Sequence, residues 1–195
     1  MEFNTVLRLR RSVRKFQERQ VEQAVLNEIL KAGQSAPIGS NLYRDLHLTI
    51  LKDRLIMKSL YAAQEKQLQD TVFADKVVKE VLNSGNDPPT RVPFYGAPVV
   101  IDVSHRLQEL QPGIEIANVT SVVQTMHLAA TNLGLGSVYV WGIFESMRMH
   151  PELDQTSLLN LPENFRPLMG LMLGYPAKPL IERDIKVNRI RVNIV

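Results

Sequence analysis

With 195 residues and 45% hydrophobic content, the chain carries enough apolar material for one substantial core and reads as a single domain over residues 1–195. A net charge of +3 falls short of the basic excess common in nucleic-acid binders, and the lack of cysteine excludes disulfides, thiolate nucleophiles and thiolate-ligated metals. An N-terminus without an apolar run, in a cysteine-free chain, fits a cytoplasmic protein that carries no secretory signal.

The first predicted helix covers residues 3–11 and runs into LRLRRSVRKF, where Arg8, Arg10, Arg11, Arg14 and Lys15 gather positive charge. Two readings stand side by side. The cations either cap and solvate a helix C-terminus or cradle an anion, because alternation in an extended RRSVR would put Arg10, Ser12 and Arg14 on one side.

A helix over Val21–Ala36 follows, with apolar residues near helical spacing, and the stretch Ser35–Asn41 (SAPIGSN) ends it in a turn. Leu46–Leu51 reads as a strand. Asp53 is a helix cap for a polar helical region running to about Leu82, with a break near residues 62–70. Ser84–Pro98 is rich in proline and glycine, a long loop and a candidate lid. Val99–Val103 is a buried strand by its branched run.

Ile116–Phe144 holds no Asp, Glu, Lys or Arg, but Asn118, Gln124, His127 and Asn132 interrupt it, so it reads as a buried helix (116–133) and a strand (137–141) rather than a membrane span. A helix with no charge on any face needs cover on nearly every side, which a second subunit can supply. Trp141 at the strand's end reads as a core aromatic before it reads as a stacking platform. Residues 167–175 form another strand, and 187–195 an extended tail or a terminal strand.

Several motifs fail. Gly134-Leu135-Gly136 is not a dinucleotide fingerprint, since Tyr139 stands where a third glycine belongs and the turn follows a helix instead of preceding one. No phosphate-binding GxxxxGK and no GxSxG nucleophile elbow occurs. His47, His105, His127 and His150 show no metal-ligand spacing, and His127 reads as a hydrogen-bonded core or interface residue. No metal is expected.

In order and spacing, RRSVRKF, AGQSAPIGSN, YGAPVVIDV, HLAATNLGLGSVYVWG and LMGLMLGYPAKP resemble the FMN-dependent nitroreductase family over nearly the whole chain. The resemblance implies an α+β fold, a mainly antiparallel sheet flanked by helices. It also implies an interlocked homodimer with C-terminal arm exchange and FMN at the subunit interface. Arg10, Arg11, Ser12 and Arg14 would meet the flavin's phosphate, ribityl and pyrimidine side. Pro37, Ile38, Gly39 and Asn41 would approach from the other subunit, and Val140, Trp141 and Gly142 would meet the ring near N5. A basic residue near the C-terminus completes the phosphate site, and spacing selects Arg189.

The implied activity passes two electrons from NAD(P)H through FMN to a small electron-poor acceptor such as a nitroaromatic or quinone, in a ping-pong cycle with no catalytic side chain. Neither nucleic acid nor membrane is an expected partner. The alternatives are a nonenzymatic anion or nucleic-acid binder, and a flavoenzyme of the same fold with a dehalogenase-like or flavin-fragmenting reaction. The chain departs from the family after Asn41, where Leu42-Tyr43-Arg44-Asp45 replaces Gln-Pro-Trp and leaves open how the turn is locked.

Overall fold

The computed structural model describes residues 1–69, 92–186 and 189–194. Four strands form one antiparallel sheet in the order β1 (Leu46–Leu51), β2 (Val99–Arg106), β4 (Phe165–Gly174), β3 (Gly136–Val140). Period-two alternation divides the side chains of the sheet between two cores. Val99, Ile101, Val103, Leu171 and Leu173 face one apolar cluster, built with α2 (Gln23–Gln34) and α4 (Ile114–Asn132). Val100, Val138, Val140 and Met172 face the other, built with α3 (Arg54–Gln69) and α5 (Gly142–Met149).

Because β2 and β4 are covered on both faces, apolar residues occupy successive positions, as in Val99–Ile101 and Leu171–Leu173, and the polar Asp102, Ser104 and His105 of β2 are buried as well. The short helix α1 (Phe3–Leu9) packs near the C-terminal end of α4, where the Met1 amino group donates to Asn132 Oδ1 at 2.7 Å.

Strand Leu46–Leu51 agrees with the sequence reading residue for residue, and other boundaries move by a few positions for local reasons. α1 stops at Leu9 because Arg10 adopts an extended backbone (φ −56, ψ 124). Asp53 does cap α3, its Oδ1 accepting from the N–H groups of Leu55 and Ile56 at 2.7 and 3.2 Å. The helix runs unbroken to Gln69, and the expected continuation to Leu82 and most of the candidate lid at 84–98 lie outside the described residues. Residues 92–98 of that loop are described and hold a 3-10 turn, Pro93–Gly96. Residues 189–194 are not in a strand.

Helix α5 has no counterpart in the sequence reading. Its buried Ile143, Phe144 and Met147 lie at helical spacing, a signal that the preceding charge-free run conceals.

Candidate functional site

The RRSVR segment leaves α1 as an extended strand beside β3. Ser12 bridges Ser137 in parallel register, and the Val13 N–H donates to the Ser137 carbonyl at 3.0 Å. Two glycines make this approach feasible. Gly134 takes φ +78 to reverse the chain after α4, and Gly136 leaves room for Val13, whose side chain lies 2.7 Å from where a Cβ would be. The Gly-Leu-Gly stretch is therefore a packing device for the arginine strand rather than a phosphate loop of its own.

Arginines converge at this edge. Arg10 donates from Nη1 to His127 Nε2 at 3.3 Å, and Arg11 donates from Nη2 to the Ile181 carbonyl at 2.6 Å. The latter contact draws the C-terminal segment alongside, where the Arg183 N–H also meets the Arg8 carbonyl at 3.3 Å. Burial, together with the positive charges of Arg10, Arg11 and Arg189, pushes the Arg183 guanidinium below its ordinary range.

Arg183 with the charges of Arg10, Arg11 and Arg189 around it is suited to an anion, and the planar forks match phosphate oxygens. Arg189 lies within electrostatic reach of Arg183. Spacing did not select Arg183; its signal is the Arg-Asp after GYPAKPLIE, ambiguous beside four other C-terminal cations.

Two residues beyond Ser12, Arg14 lies with its guanidinium 5.9 Å from the Tyr95 ring and donates to the Ser12 carbonyl at 3.5 Å. Next to Tyr95 is a pocket of about 140 Å³, lined also by Tyr139, Val140, Trp141 and Gly142. Trp141 is 54% exposed, which overturns its reading as a core aromatic. It stands after the last residue of β3 at the entry to α5, with φ −136 and ψ −49, so its side chain leaves the alternation that buries Val138 and Val140. Phe94 and Tyr95 both take positive φ (51 and 54), a backbone strain of about 1–3 kcal/mol each that the buried packing of Phe94 must offset. Tyr95 was hidden in the sequence inside a loop known only for its prolines.

The remaining predicted residues lie elsewhere. Pro37, Ile38, Gly39 and Asn41 form a turn at the N-terminal end of α4, where the Gly39 N–H donates to Asn118 Oδ1 at 2.8 Å. Asn118 Nδ2 in turn meets His105 Nε2 at 3.2 Å, and His105 Nδ1 meets the Arg106 carbonyl at 2.6 Å. Since the Asn118 oxygen is taken by Gly39, its amide donates to Nε2, and Nδ1–H donates to the carbonyl.

Tyr43 answers what replaces the family's Gln-Pro-Trp: its hydroxyl donates to the Ala36 carbonyl at 3.0 Å and closes the turn. From Asn118 to His127 is roughly 14 Å along α4, at a helical rise of about 1.5 Å per residue. A single chain therefore keeps the turn and the arginine cluster at opposite ends of one helix.

Comparison with known proteins agrees with this architecture. The model of the nitroreductase family matches residues 7–175, and the chain belongs to that family. A curated relative from Archaeoglobus fulgidus, provisionally named an NADH dehydrogenase/NAD(P)H nitroreductase, is 25% identical over 94% of this chain and 92% of its own length. An FMN reductase [NAD(P)H] of Bacillus subtilis is 28% identical over 86% of this chain and 63% of its own. Among solved structures, a nitroreductase with bound FMN from Bacteroides fragilis superposes with a TM-score of 0.75 at 25% identity, covering all of both chains.

Proposed function

We propose that the protein is an FMN-dependent NAD(P)H oxidoreductase of the nitroreductase type. Its observational basis is the gathering of Arg10, Arg11 and Arg189 around Arg183 at the edge of β3, with the Val140–Gly142 segment further along the same strand. The residues fit the group: the four arginines would hold the phosphate, Arg14 the N1 and O2 side of the ring, and the main chain of Val140, Trp141 and Gly142 the edge near N5. Bound there, FMN supplies two-electron transfer from a reduced nicotinamide to an electron-poor acceptor such as a nitroaromatic or quinone, in alternate occupancy of one face.

The chain's own part is electrostatic. A cation beside the pyrimidine side favours the anionic reduced ring, and Tyr95 and Trp141 bound the space where a planar partner stacks. Ligand pockets run about 300–1,000 Å³, so the 140 Å³ beside Trp141 is one wall of a site. The missing wall is the Pro37–Asn41 turn of a second copy.

Two observations support the homodimer. α4 leaves Ile116, Ala117 and Gln124 exposed without a charge among them, and the C-terminal segment exposes Ile181, Ile185, Ile190, Val192 and Ile194 by 56 to 92%. Both surfaces call for cover, the second by passage of the arm beyond Arg189 onto a second copy. The convergence of the arginines, as opposed to their spread along a groove, disfavours a nucleic-acid backbone as the ligand.

The purified protein is expected to be yellow, with anaerobic bleaching by NADH or NADPH and a dimeric mass in ultracentrifugation. Arg10→Ala combined with Arg14→Ala should weaken FMN by on the order of 100-fold or more, from two lost charge-assisted contacts. Equal flavin content in the variant and the parent would remove these arginines from the site.

A further inference from the structure

Arg10 is held in an unfavourable place. Although the C-terminal end of α1 favours a cation, Arg183 at the same edge carries charge of its own sign, with Arg11 and Arg189 around it. Like charges drive a flexible guanidinium toward water. The counterweight comes from the C-terminal part of α4, where His127, 3% exposed, presents Nε2 to Arg10 Nη1 at 3.3 Å.

The other ring nitrogen, Nδ1, lies 2.5 Å from Ser137 Oγ. Arginine can only donate, so Nε2 accepts and the ring proton sits on Nδ1, donating to Ser137. Ser137 cannot drift, because its carbonyl takes the Val13 N–H in the strand pairing that carries Arg10, Ser12 and Arg14. Tyr139 packs edge-on against the imidazole at 5.6 Å, and Thr131 Oγ1 donates to the His127 carbonyl at 3.1 Å.

We propose that His127 is a positioning residue: its Nε2 lone pair orients Arg10 toward the phosphate of the flavin, so that this chain distinguishes FMN from riboflavin partly through a buried imidazole. The inference rests on the flavin reading above. It needs a ring with a free lone pair, and the surroundings supply one. Burial, and after it the charge of Arg10, pull the His127 pKa down to about 4.

Among the described residues, the groups facing the ring are Arg10 from the end of α1, Ser137 and Tyr139 from β3, and Thr131 from its own helix. Arg10 is the cation of that set. A proton on Nε2 would both delete the acceptor and add a fifth positive charge to the cluster.

The test compares the full-length chain with His127→Leu, which keeps bulk and removes the acceptor, and with His127→Gln, which can return an acceptor to Arg10. FMN and riboflavin titrations are followed by flavin fluorescence, and folding by circular dichroism. His127→Leu should lose about tenfold in FMN affinity, the worth of one oriented hydrogen bond, while riboflavin affinity stays within about twofold and His127→Gln recovers most of the loss.

In the flavin-free parent, the His127 ring should titrate near pH 4 by NMR, an observation that needs no cofactor. FMN binding unchanged in a folded His127→Leu variant, or an equal loss for FMN and riboflavin, overturns the positioning role and leaves the flavin reading intact. A parent that binds neither flavin overturns both. If the leucine variant does not fold, the glutamine variant decides: FMN affinity within about threefold of the parent supports the role, and a loss shared with riboflavin refutes it.

Discussion

The two ends of α4 do similar work by different means. At the N-terminal end, His105 and Asn118 form a buried, uncharged chain that grips the Gly39 N–H. At the C-terminal end, His127 and Ser137 form a second chain, and its outer member is the Arg10 cation. One end fixes a backbone turn, which needs donors and acceptors in register; the other fixes a charge among like charges, which needs a lone pair and low exposure. A helix able to do both must keep charge off its buried face, where any cation or acid would compete for these partners; its one charged residue, Glu115, lies in the first turn and accepts from the Gly113 N–H.

The largest effect is expected at the uncharged end. Asn118→Leu leaves the Gly39 N–H and His105 Nε2 without their partner, costing about 2–4 kcal/mol for two stranded polar groups. Urea unfolding of the flavin-free chain reads the loss. Because this end holds the turn proposed to reach the partner's ring, FMN and riboflavin should weaken together. A selective loss of FMN would mean that the two ends are not separate.

The cationic end also responds to protons, once Asp102 is accounted for. Asp102 lies on the opposite face of β2 from Ile101 and Val103, fully buried, with Oδ2 accepting from Ser104 at 2.6 Å and Oδ1 without a partner among the described residues. Burial pushes its pKa up to about 7, against the smaller lowering effect of Ser104. The folded chain then holds more protons at Asp102 than the unfolded chain does, so stability from this group falls as pH rises from about 4 to about 7.

His127 runs the other way. Its folded pKa of about 4 lies below the unfolded value, so its contribution is complete above about pH 6.5 and is lost as pH falls toward 4. That loss amounts to about 3 kcal/mol. The two slopes oppose each other in the parent. Asp102→Asn should reveal stability rising with pH between 4.5 and 6.5, and His127→Leu stability falling over the same interval; the same slope in both variants would sink this assignment.

The sequence made much of this visible and hid the rest for physical reasons. Strands 46–51 and 99–103 were legible because period-two patterns and branched runs are local properties. The arginine strand was legible as a concentration of charge, although only the resemblance decided between cap and cradle. Arg183 was hidden because its role depends on the C-terminal segment folding back along α1, a contact separated by more than 170 residues. His105 and His127 look alike in one dimension. Their tautomers are set by Asn118 and Ser137, which only the tertiary fold brings to them.

A smaller perturbation of the cationic end is Gly136→Ala. The new methyl would meet Val13 at 2.7 Å and displace the strand that carries Arg10 and Arg14, at a cost of about 1–3 kcal/mol. Gly134→Ala is the control, since a Cβ there meets open space and pays only for φ +78, about 1 kcal/mol. Both variants should lose stability, but only Gly136→Ala should also lose FMN affinity. Equal FMN binding by the two would dissociate the Val13 contact from the cradle.

The smallest expected effect belongs to Tyr43→Phe at the other end. The ring stays 45% exposed in the parent, so removing the hydroxyl strands only the Ala36 carbonyl, and water can reach part of that loss. The cost should be about 0.5–1 kcal/mol. It should appear as faster amide exchange in Gly39–Leu42 with the Arg10 region unchanged, because Asn118 still holds the Gly39 N–H. A destabilisation as large as that of Asn118→Leu would make Tyr43, and not the His105–Asn118 chain, the principal lock on the turn.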